Sequence, residues 1–465
     1  MATTPNVLFF LTDDQRFDTI GALGNPLIRT PNLDRLVARG VSFRRAHIPG
    51  GTSGAVCMPS RAMLHTGRSL FHLDDVGQEI PREHATLGET FRRAGYECHG
   101  IGKWHNGRMA FARSFTGGDE IFFGGMSDHW NVPAYHFDPT GEYAARLPRV
   151  PDPMHSNQVE YRACDHIHAG RHSTELFVDA ACDFLRERDR QRPFFLYVAL
   201  LAPHDPRTMP EAFRQLYDPE SLPLPENFRA EHVIDTGALR CRDELLAGFP
   251  RQPSEVRRHL AEYYAMISHL DAELGRLLAT LESVGDLSDT IIVVAGDNGL
   301  AVGQHGLMGK QNVYEHSVRV PLLVSGPEVP AGVTSDALVY LFDLFPTLCD
   351  LCRMPVPESV EGRSLRPCWE TGDRGRDSLY LVYADAVRGV SDGRRKLIEY
   401  ACGATQLFDL EEDSWEKNNL AEQPEARGDL EQYRREMWKL SGQWDDRRHR
   451  LGQEFWRRRR DLRQG

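Results

Sequence analysis

The sequence predicts an α/β protein: a mostly parallel sheet flanked by helices, followed by a smaller C-terminal subdomain built on a short antiparallel sheet. Three observations predict it. The runs "NVLFFLT", "RPFFLYVALLA" and "DTIIVVAG" are almost continuously apolar, as expected of strands buried on both faces. Between them lie segments whose apolar residues recur every three or four positions, the period of helices that bury one stripe. Strands alternating with helices build a parallel sheet covered on both sides. Beyond residue 372 the pattern shortens to "SLYLVYADAVRGVSDGRRKLIEY" and "QLFDLEEDSWEKNNL", which read as an antiparallel meander.

In chain order, "NVLFFLTDD" is a strand that delivers Asp13 and Asp14 at its C-terminal end, where open α/β sheets collect ligands. "PNLDRLVARG" is the first helix. In "GAVCMPSRAMLHTGR" the sequence predicts a helix from Arg61 capped by Ser60, with Cys57 just ahead of it in the positive potential of the helix N-terminus. Taken alone, Cys57 is as well read as a small buried hydrophobe. "TLGETFRRAGY" is the next helix, and the segment from Gly124 to His172 is a long irregular insertion. "STELFVDAACDFLRERD" and the long "SEVRRHLAEYYAMISHLDAELGRLLATLESVG" are amphipathic helices. They flank the strand that ends in "APHDP", which delivers His204. The third strand ends in "GDNG" and delivers Asp297 and Asn298.

Cys349 and Cys352 lie in helical "LFDLFPTLCDLCRM" with no second pair at zinc-ribbon spacing, and read as core thiols. A catalytic domain over 1–372 and a subdomain over 373–465 are expected. The subdomain ends in an arginine-rich stretch read as a solvated helix or tail.

The formal charge of −12 excludes a surface that attracts nucleic acid or anionic membrane as a whole. No stretch reaches the roughly 18 to 20 apolar residues needed to cross a bilayer. The N-terminus has no basic segment before its apolar run, which places the chain as given in the cytoplasm; a removed signal peptide would place it in the periplasm or outside the cell. Nine irregularly spaced cysteines read as reduced thiols. Oligomeric state is not encoded legibly, and a homo-oligomer is admitted.

The strand ends are rich in oxygen donors, from Asp13, Asp14, Asp297 and Asn298, a set suited to a hard cation such as calcium or magnesium. Lys103 and His105 in "GKWHNG", His204 in "APHDP" and Lys310 in "GLMGKQN" supply cations and proton carriers. With a divalent cation and Arg61, the pocket has a surplus of positive charge that would hold an anion and stabilise negative charge in a breaking bond.

"CMPSRAMLHTGR" matches the C-x-P-S-R-x-x-x-x-T-G-R signature, and with "NVLFFLTDDQ", "GKWHNG", "APHDP", "GDNG", "GLMGKQN" and "LFDLEEDSWEKNNLAE" in order, the chain resembles the formylglycine-dependent type I sulfatases almost throughout. The resemblance implies an alkaline-phosphatase-like fold. It also implies a maturation enzyme that oxidises Cys57 to Cα-formylglycine, whose hydrate attacks the sulfur of a sulfate monoester and leaves a sulfated enzyme. One calcium ion, with magnesium as the alternative, would be bound by Asp13, Asp14, Asp297, Asn298 and the modified Cys57. Arg61 would hold the hydrate, and Lys103 and Lys310 would grip sulfate. His204 would protonate the leaving alcohol, and His105 would take the proton that releases sulfate.

A sulfated sugar is the implied substrate, and His129 and Trp130 of the insertion are its expected contacts beyond the sulfate. Asn106 and His65 depart from the family pattern without removing a chemical group. Two readings compete: a phosphonate monoester or phosphodiester hydrolase of the same superfamily, and a non-catalytic binder of sulfated glycans if Cys57 stays unmodified. A two-zinc phosphatase fits less well, because Asn298 stands where zinc would favour histidine.

Overall fold

The computed structural model describes residues 4–73 and 76–464. Among them, eight strands form the principal sheet: Asn6–Thr12 (β1), Gly40–Phe43 (β2), Glu97–Lys103 (β3), Gly117–Phe122 (β4), Phe194–Ala199 (β5), Thr290–Gly296 (β6), Leu322–Ser325 (β7) and Val333–Ser335 (β8). Their spatial order is β8-β2-β7-β6-β1-β5-β3-β4. All neighbours run parallel except around β7, which is antiparallel to both β6 and β2. The three strands expected from apolar runs are β1, β5 and β6, and they lie side by side.

The continuous apolar character of β1 has a direct cause. Val7, Phe9 and Leu11 join the core on one face, while Leu8 and Phe10 join the core on the other. Helices Pro31–Arg39 (α1), Ser173–Glu187 (α3) and Pro253–Ser283 (α4) cover the second face. Helix Cys57–Thr66 (α2) lies on the first face, with Leu344–Leu351 (α5) packed against it. Cys349 is fully buried and Cys352 nearly so, and burial pushes their thiols up to about 12 and about 11. They are core thiols, as expected.

The second sheet contains Leu379–Tyr383 (β9), Val387–Ser391 (β10), Arg395–Tyr400 (β11) and Thr405–Asp409 (β12) as an antiparallel meander. A fifth strand, Gly50–Gly51, pairs in parallel with β9. Its backbone needs glycine: Gly50 has φ +103°, and a Cβ there would run into the Val382 carbonyl. The pairing fixes the chain just before Cys57. Thus the small sheet buttresses the approach to α2.

The arginine-rich end takes the helical one of the two expected forms, with Arg457, Arg458 and Arg460 exposed, but one face is packed and not solvated. It forms helix Arg450–Gln464 (α7), which follows Arg427–Gln443 (α6) and fully buries Phe455. The link is Asp446, itself fully buried. Its carboxylate accepts from Arg388 Nε at 2.9 Å, Tyr380 Oη at 2.7 Å and Trp456 Nε1 at 3.0 Å. Asp446→Ala should therefore lower unfolding stability by about 3 kcal/mol, because it strands the buried Arg388 charge; a denaturant titration reads this directly.

Candidate functional site

Four adjacent parallel strands, β6, β1, β5 and β3, end at the same edge of the sheet, and each delivers one or two of the residues singled out by sequence. Asp13 and Asp14 follow β1, and Asp297 and Asn298 follow β6. Lys103 closes β3, and His204 lies on the turn after β5. Every one of these side chains is buried. Backbone bonds lock the strand ends together: Asp297 N donates to the Thr12 carbonyl at 3.0 Å and Asp13 N to the Ala202 carbonyl at 3.1 Å.

Helix α2 brings Cys57 over this edge. It begins at Cys57 itself, not after Ser60; Ser60 lies in its first turn, where its hydroxyl donates to the Asp297 carbonyl at 2.5 Å. The cap expected of Ser60 is thus replaced by a tie between helix and strand end. Cys57 keeps its place at the positive end of the helix. Its Sγ is 3.4 Å from His105 Nδ1 and 3.8 Å from Lys103 Nζ. Burial pushes the thiol up to about 11 despite the nearby Lys103 and Lys310 ammoniums. An unmodified Cys57 is therefore a protonated, weak nucleophile.

Charges around it are paired closely. Arg61 Nε donates to Asp297 Oδ2 at 2.7 Å and its Nη1 to the Lys103 carbonyl at 2.7 Å, while Nη2 stands 3.6 Å from Asp13 Oδ2. The Lys103 ammonium contacts Asp13 and donates to the Gly125 carbonyl at 2.5 Å. Lys310 Nζ and Asn298 Nδ2 both donate to Asp14 Oδ1, at 2.5 and 2.6 Å. Burial, reinforced by the charge of Asp13, raises the Asp297 carboxyl to about 6. Burial with the cations Lys103 and Arg61 holds His105 well below the ordinary histidine range; burial and Lys310 do the same to His204. Both rings are neutral in this arrangement.

The donor set fits a hard cation on its own chemistry. Asp13 Oδ1 and Asn298 Oδ1 are buried and have no hydrogen-bond partner among the described residues. Ligand atoms of Asp13, Cys57 and Asp297 lie within 4.8 Å of one another, as do those of Asp13, Asp14 and His204. Orphaned buried oxygens are costly unless something positive completes them. Asp14 and His105 both adopt positive φ, 65° and 76°, without being glycine, a strain typical of sites where side chains must point inward.

Several partners could not be read from sequence. His204 Nδ1 bonds the Asp205 carbonyl at 2.8 Å, and Asp205 is held by Arg242, a residue of the loop before α4. The adjacency of "HDP" hints at Asp205, but nothing in spacing points to Arg242. Asn106, which departs from the family pattern, donates to the Met58 and Gly77 carbonyls at 2.8 and 2.6 Å and so pins the turn carrying His105 against α2. His65, the other departure, packs against Trp104 with ring centroids 4.1 Å apart and the planes tilted by 32°.

The expected substrate contact His129 is corrected by the structure. It is completely buried, with Nδ1 on Ser173 Oγ at 2.8 Å and Nε2 on the His204 carbonyl at 3.0 Å. Both ring nitrogens are engaged, so it braces the His204 turn and has no free polar atom for a sugar. Trp130 is half-buried and meets His172 edge-on at 5.0 Å. His129→Phe should lower kcat several-fold with KM nearly unchanged, a steady-state split that a true sugar contact would reverse.

Comparison with known proteins agrees with this geometry. The family model described as Sulfatase matches residues 5–354, and that described as N-sulphoglucosamine sulphohydrolase, C-terminal, matches residues 303–443. An arylsulfatase of Clostridium perfringens is 28% identical, over 93% of this chain and 93% of its own. An N-acetylglucosamine-6-O-sulfatase of Bacteroides thetaiotaomicron is 26% identical over 90% of this chain and 82% of its own. A solved structure of a protein in complex with its substrate D-glucosamine-2-N,6-O-disulfate superposes with a TM-score of 0.77 at 22% identity, covering 96% of this chain and 99% of that one, which shows a shared fold. Among the described residues, no helix is long and apolar enough to cross a membrane. With the Sulfatase model running from residue 5 to residue 354 over the strand ends and helix just described, the chain belongs to the sulfatase family, sulfuric ester hydrolases of the alkaline phosphatase superfamily.

Proposed function

We propose that this sulfatase removes sulfate from a sulfated carbohydrate, with Cys57, once oxidised to formylglycine by a maturation enzyme, as the nucleophilic residue. The observation that carries the reading is the position of Cys57. Its sulfur marks where the oxygens of the oxidised side chain would lie, at a helix N-terminus, 3.4 Å from a neutral imidazole and 3.8 Å from an ammonium. The relatives named for sulfated amino sugars support the carbohydrate.

Asp13, Asp14, Asp297 and Asn298 would hold the cation, calcium first and magnesium as the alternative, which when bound supplies positive charge that acidifies an oxygen nucleophile and offsets the sulfate. Lys103 and Lys310 would exchange part of their present carboxylate pairing for sulfate oxygens. Arg61, clamped between Asp297 and the Lys103 carbonyl, holds the floor of the pocket in place. The Nδ1 atom of His204 donates to the Asp205 carbonyl, which leaves Nε2 to carry a proton to the departing alcohol once a bound anionic sulfate offsets the Lys310 charge and favours the imidazolium. His105 Nδ1 faces residue 57 and would take the proton whose loss expels sulfate.

Two measurements test the reading. Peptide mass spectrometry at residue 57 should show a loss of about 18 Da against cysteine, the difference between the thiol and aldehyde side chains. A panel of sulfate, phosphate and phosphonate esters should rank sugar sulfates first by kcat/KM. A phosphonate monoester at the head of that ranking would replace this proposal with the phosphonate hydrolase.

The histidines should separate by leaving group. His204→Ala should slow sugar sulfates by about two to four orders of magnitude but activated aryl sulfates by less than about tenfold, because a phenolate leaves without a proton. His105→Ala should retain sulfate on residue 57 and depend little on leaving-group pKa. Equal leaving-group dependence in both variants, with no sulfate retained, would reverse the assignment.

A further inference from the structure

Away from the strand-end site, the irregular insertion carries a second constellation. Glu120 lies in β4 at the point where pairing with β3 slips by a residue: Ile101 pairs with Asp119 and Gly102 with Ile121. Glu120 is thus the bulged residue, with φ 51°. The bulge aims its carboxylate at the insertion, where His166 and His168 wait. His166 Nε2 is 2.9 Å from Glu120 Oε2, and His168 Nε2 is 3.1 Å from Glu120 Oε1. Glu120 is buried, His166 is partly buried and His168 is half-exposed.

The far side of His166 shows why this is more than an ion pair. Its Nδ1 contacts the Asp165 carboxylate, and Asp165 also accepts from His136 N at 2.9 Å. A carboxylate on Nδ1 holds the proton there and turns the Nε2 lone pair inward, the arrangement that orients metal-binding histidines. Glu120 meets both Nε2 atoms at hydrogen-bond distance, and a positive charge completes the group: an imidazolium proton, which Glu120 favours on His166, or a metal ion that displaces it. One ligand atom from each of the three residues lies within 4.8 Å of the other two, close enough for a single cation to draw them together.

We propose that Glu120, His166 and His168 form a second metal site for a borderline divalent cation of the zinc type, distinct in chemistry from the carboxylate-rich strand-end site. Two imidazoles and one carboxylate make a set that favours zinc over calcium. The fourth position opens onto a surface cleft of about 900 Å³ lined by His99, Asp119, Glu120, His168 and Arg171, which leaves room for water or an exchangeable ligand. The site joins parts of the chain that are otherwise held by isolated bridges, Ile121 to Tyr135 and Ala134 to His166. Metal binding therefore fastens the insertion to the edge strand of the principal sheet.

The test uses the whole protein with calcium in excess, titrated with zinc chloride by calorimetry and checked by elemental analysis after dialysis. The wild type should bind one zinc per chain that His168→Ala binds at least about 100-fold more weakly. Glu120→Gln should give the same loss, and Asp165→Asn, which touches only the far nitrogen of His166, a loss of about tenfold. Desulfation by His168→Ala should stay at the wild-type level, since the residue touches nothing in the strand-end site. Hydrogen exchange at residues 134–136 and 165–168 should slow on zinc addition in the wild type alone. The proposal is overturned if the wild type takes up no zinc below 100 µM, or if His168→Ala and Glu120→Gln bind it with unchanged stoichiometry and affinity.

Discussion

Cys57→Ala should lower kcat/KM on a sulfate monoester by at least about four orders of magnitude, the scale on which removing the nucleophile of a covalent enzyme acts. The side chain has no substitute nearby. Its immediate neighbours are His105, 3.4 Å away and neutral, and Lys103, whose ammonium is committed to Asp13 and the Gly125 carbonyl. The fold should survive, because only one buried sulfur is lost from a helix otherwise packed along its length, a change worth about 1 kcal/mol. Circular dichroism and thermal unfolding should match the wild type within a few degrees. Substantial turnover by the alanine variant, its identity confirmed by mass, would remove Cys57 from the reaction. Cys57→Ser should fall nearly as far if maturation accepts only cysteine.

Asp297→Ala should fail in two ways at once. It removes an oxygen donor from the cation site, and it takes away the partner that Arg61 Nε holds at 2.7 Å. Both residues are fully buried, and the next carboxylate oxygen, on Asp13, is 3.6 Å from Arg61 Nη2. Stranding a buried guanidinium costs about 3–5 kcal/mol, so the variant should unfold at a markedly lower denaturant midpoint, while activity drops by at least about a thousandfold. Asp297→Asn separates the two effects. Its single amide oxygen can accept from Arg61 Nε or from Asp14 N but not from both, and it weakens the cation site, so stability should recover in part and activity should not. Chelation of the wild type should likewise lower both activity and melting temperature, with calcium restoring them better than zinc. Equal stability of Asp297→Ala and wild type would show that Arg61 does not depend on this carboxylate.

Much of the candidate site was legible because parallel strands obey a strict geometry. A strand buried on both faces must be apolar throughout, so the first polar residues after it mark its C-terminal end, and neighbouring parallel strands end together. Asp13, Asp14, His204, Asp297 and Asn298 could therefore be grouped before any distance was known. Strand β3 gave a fainter signal, since "ECHGIGK" mixes glycine and polar residues, and Lys103 was found through its motif and not its strand. His129 misled for a physical reason. An aromatic, hydrogen-bonding residue in a polar insertion suits a sugar and suits a buried brace equally well, and only burial distinguishes them.

The sequence by itself determined the α/β class, the residues at the strand ends, the signature around Cys57 and the antiparallel meander near the C-terminus. These rest on local patterns: periodicity, apolar runs and motif spacing. Tertiary structure alone decided that α2 starts at Cys57, with Ser60 spent on the Asp297 carbonyl, and that Gly50–Gly51 joins the second sheet. It alone packed the arginine-rich end through Phe455 and Asp446, and it alone turned Glu120 outward at a bulge to meet His166 and His168. Each of these depends on a pairing between segments from 46 to more than 300 residues apart in the chain, as between Glu120 and His166, Arg388 and Asp446, Ser60 and Asp297, and Gly50 and Val382. Which distant groups meet is set by how strands register and how buried charges find partners, and neither is written in any single stretch of sequence.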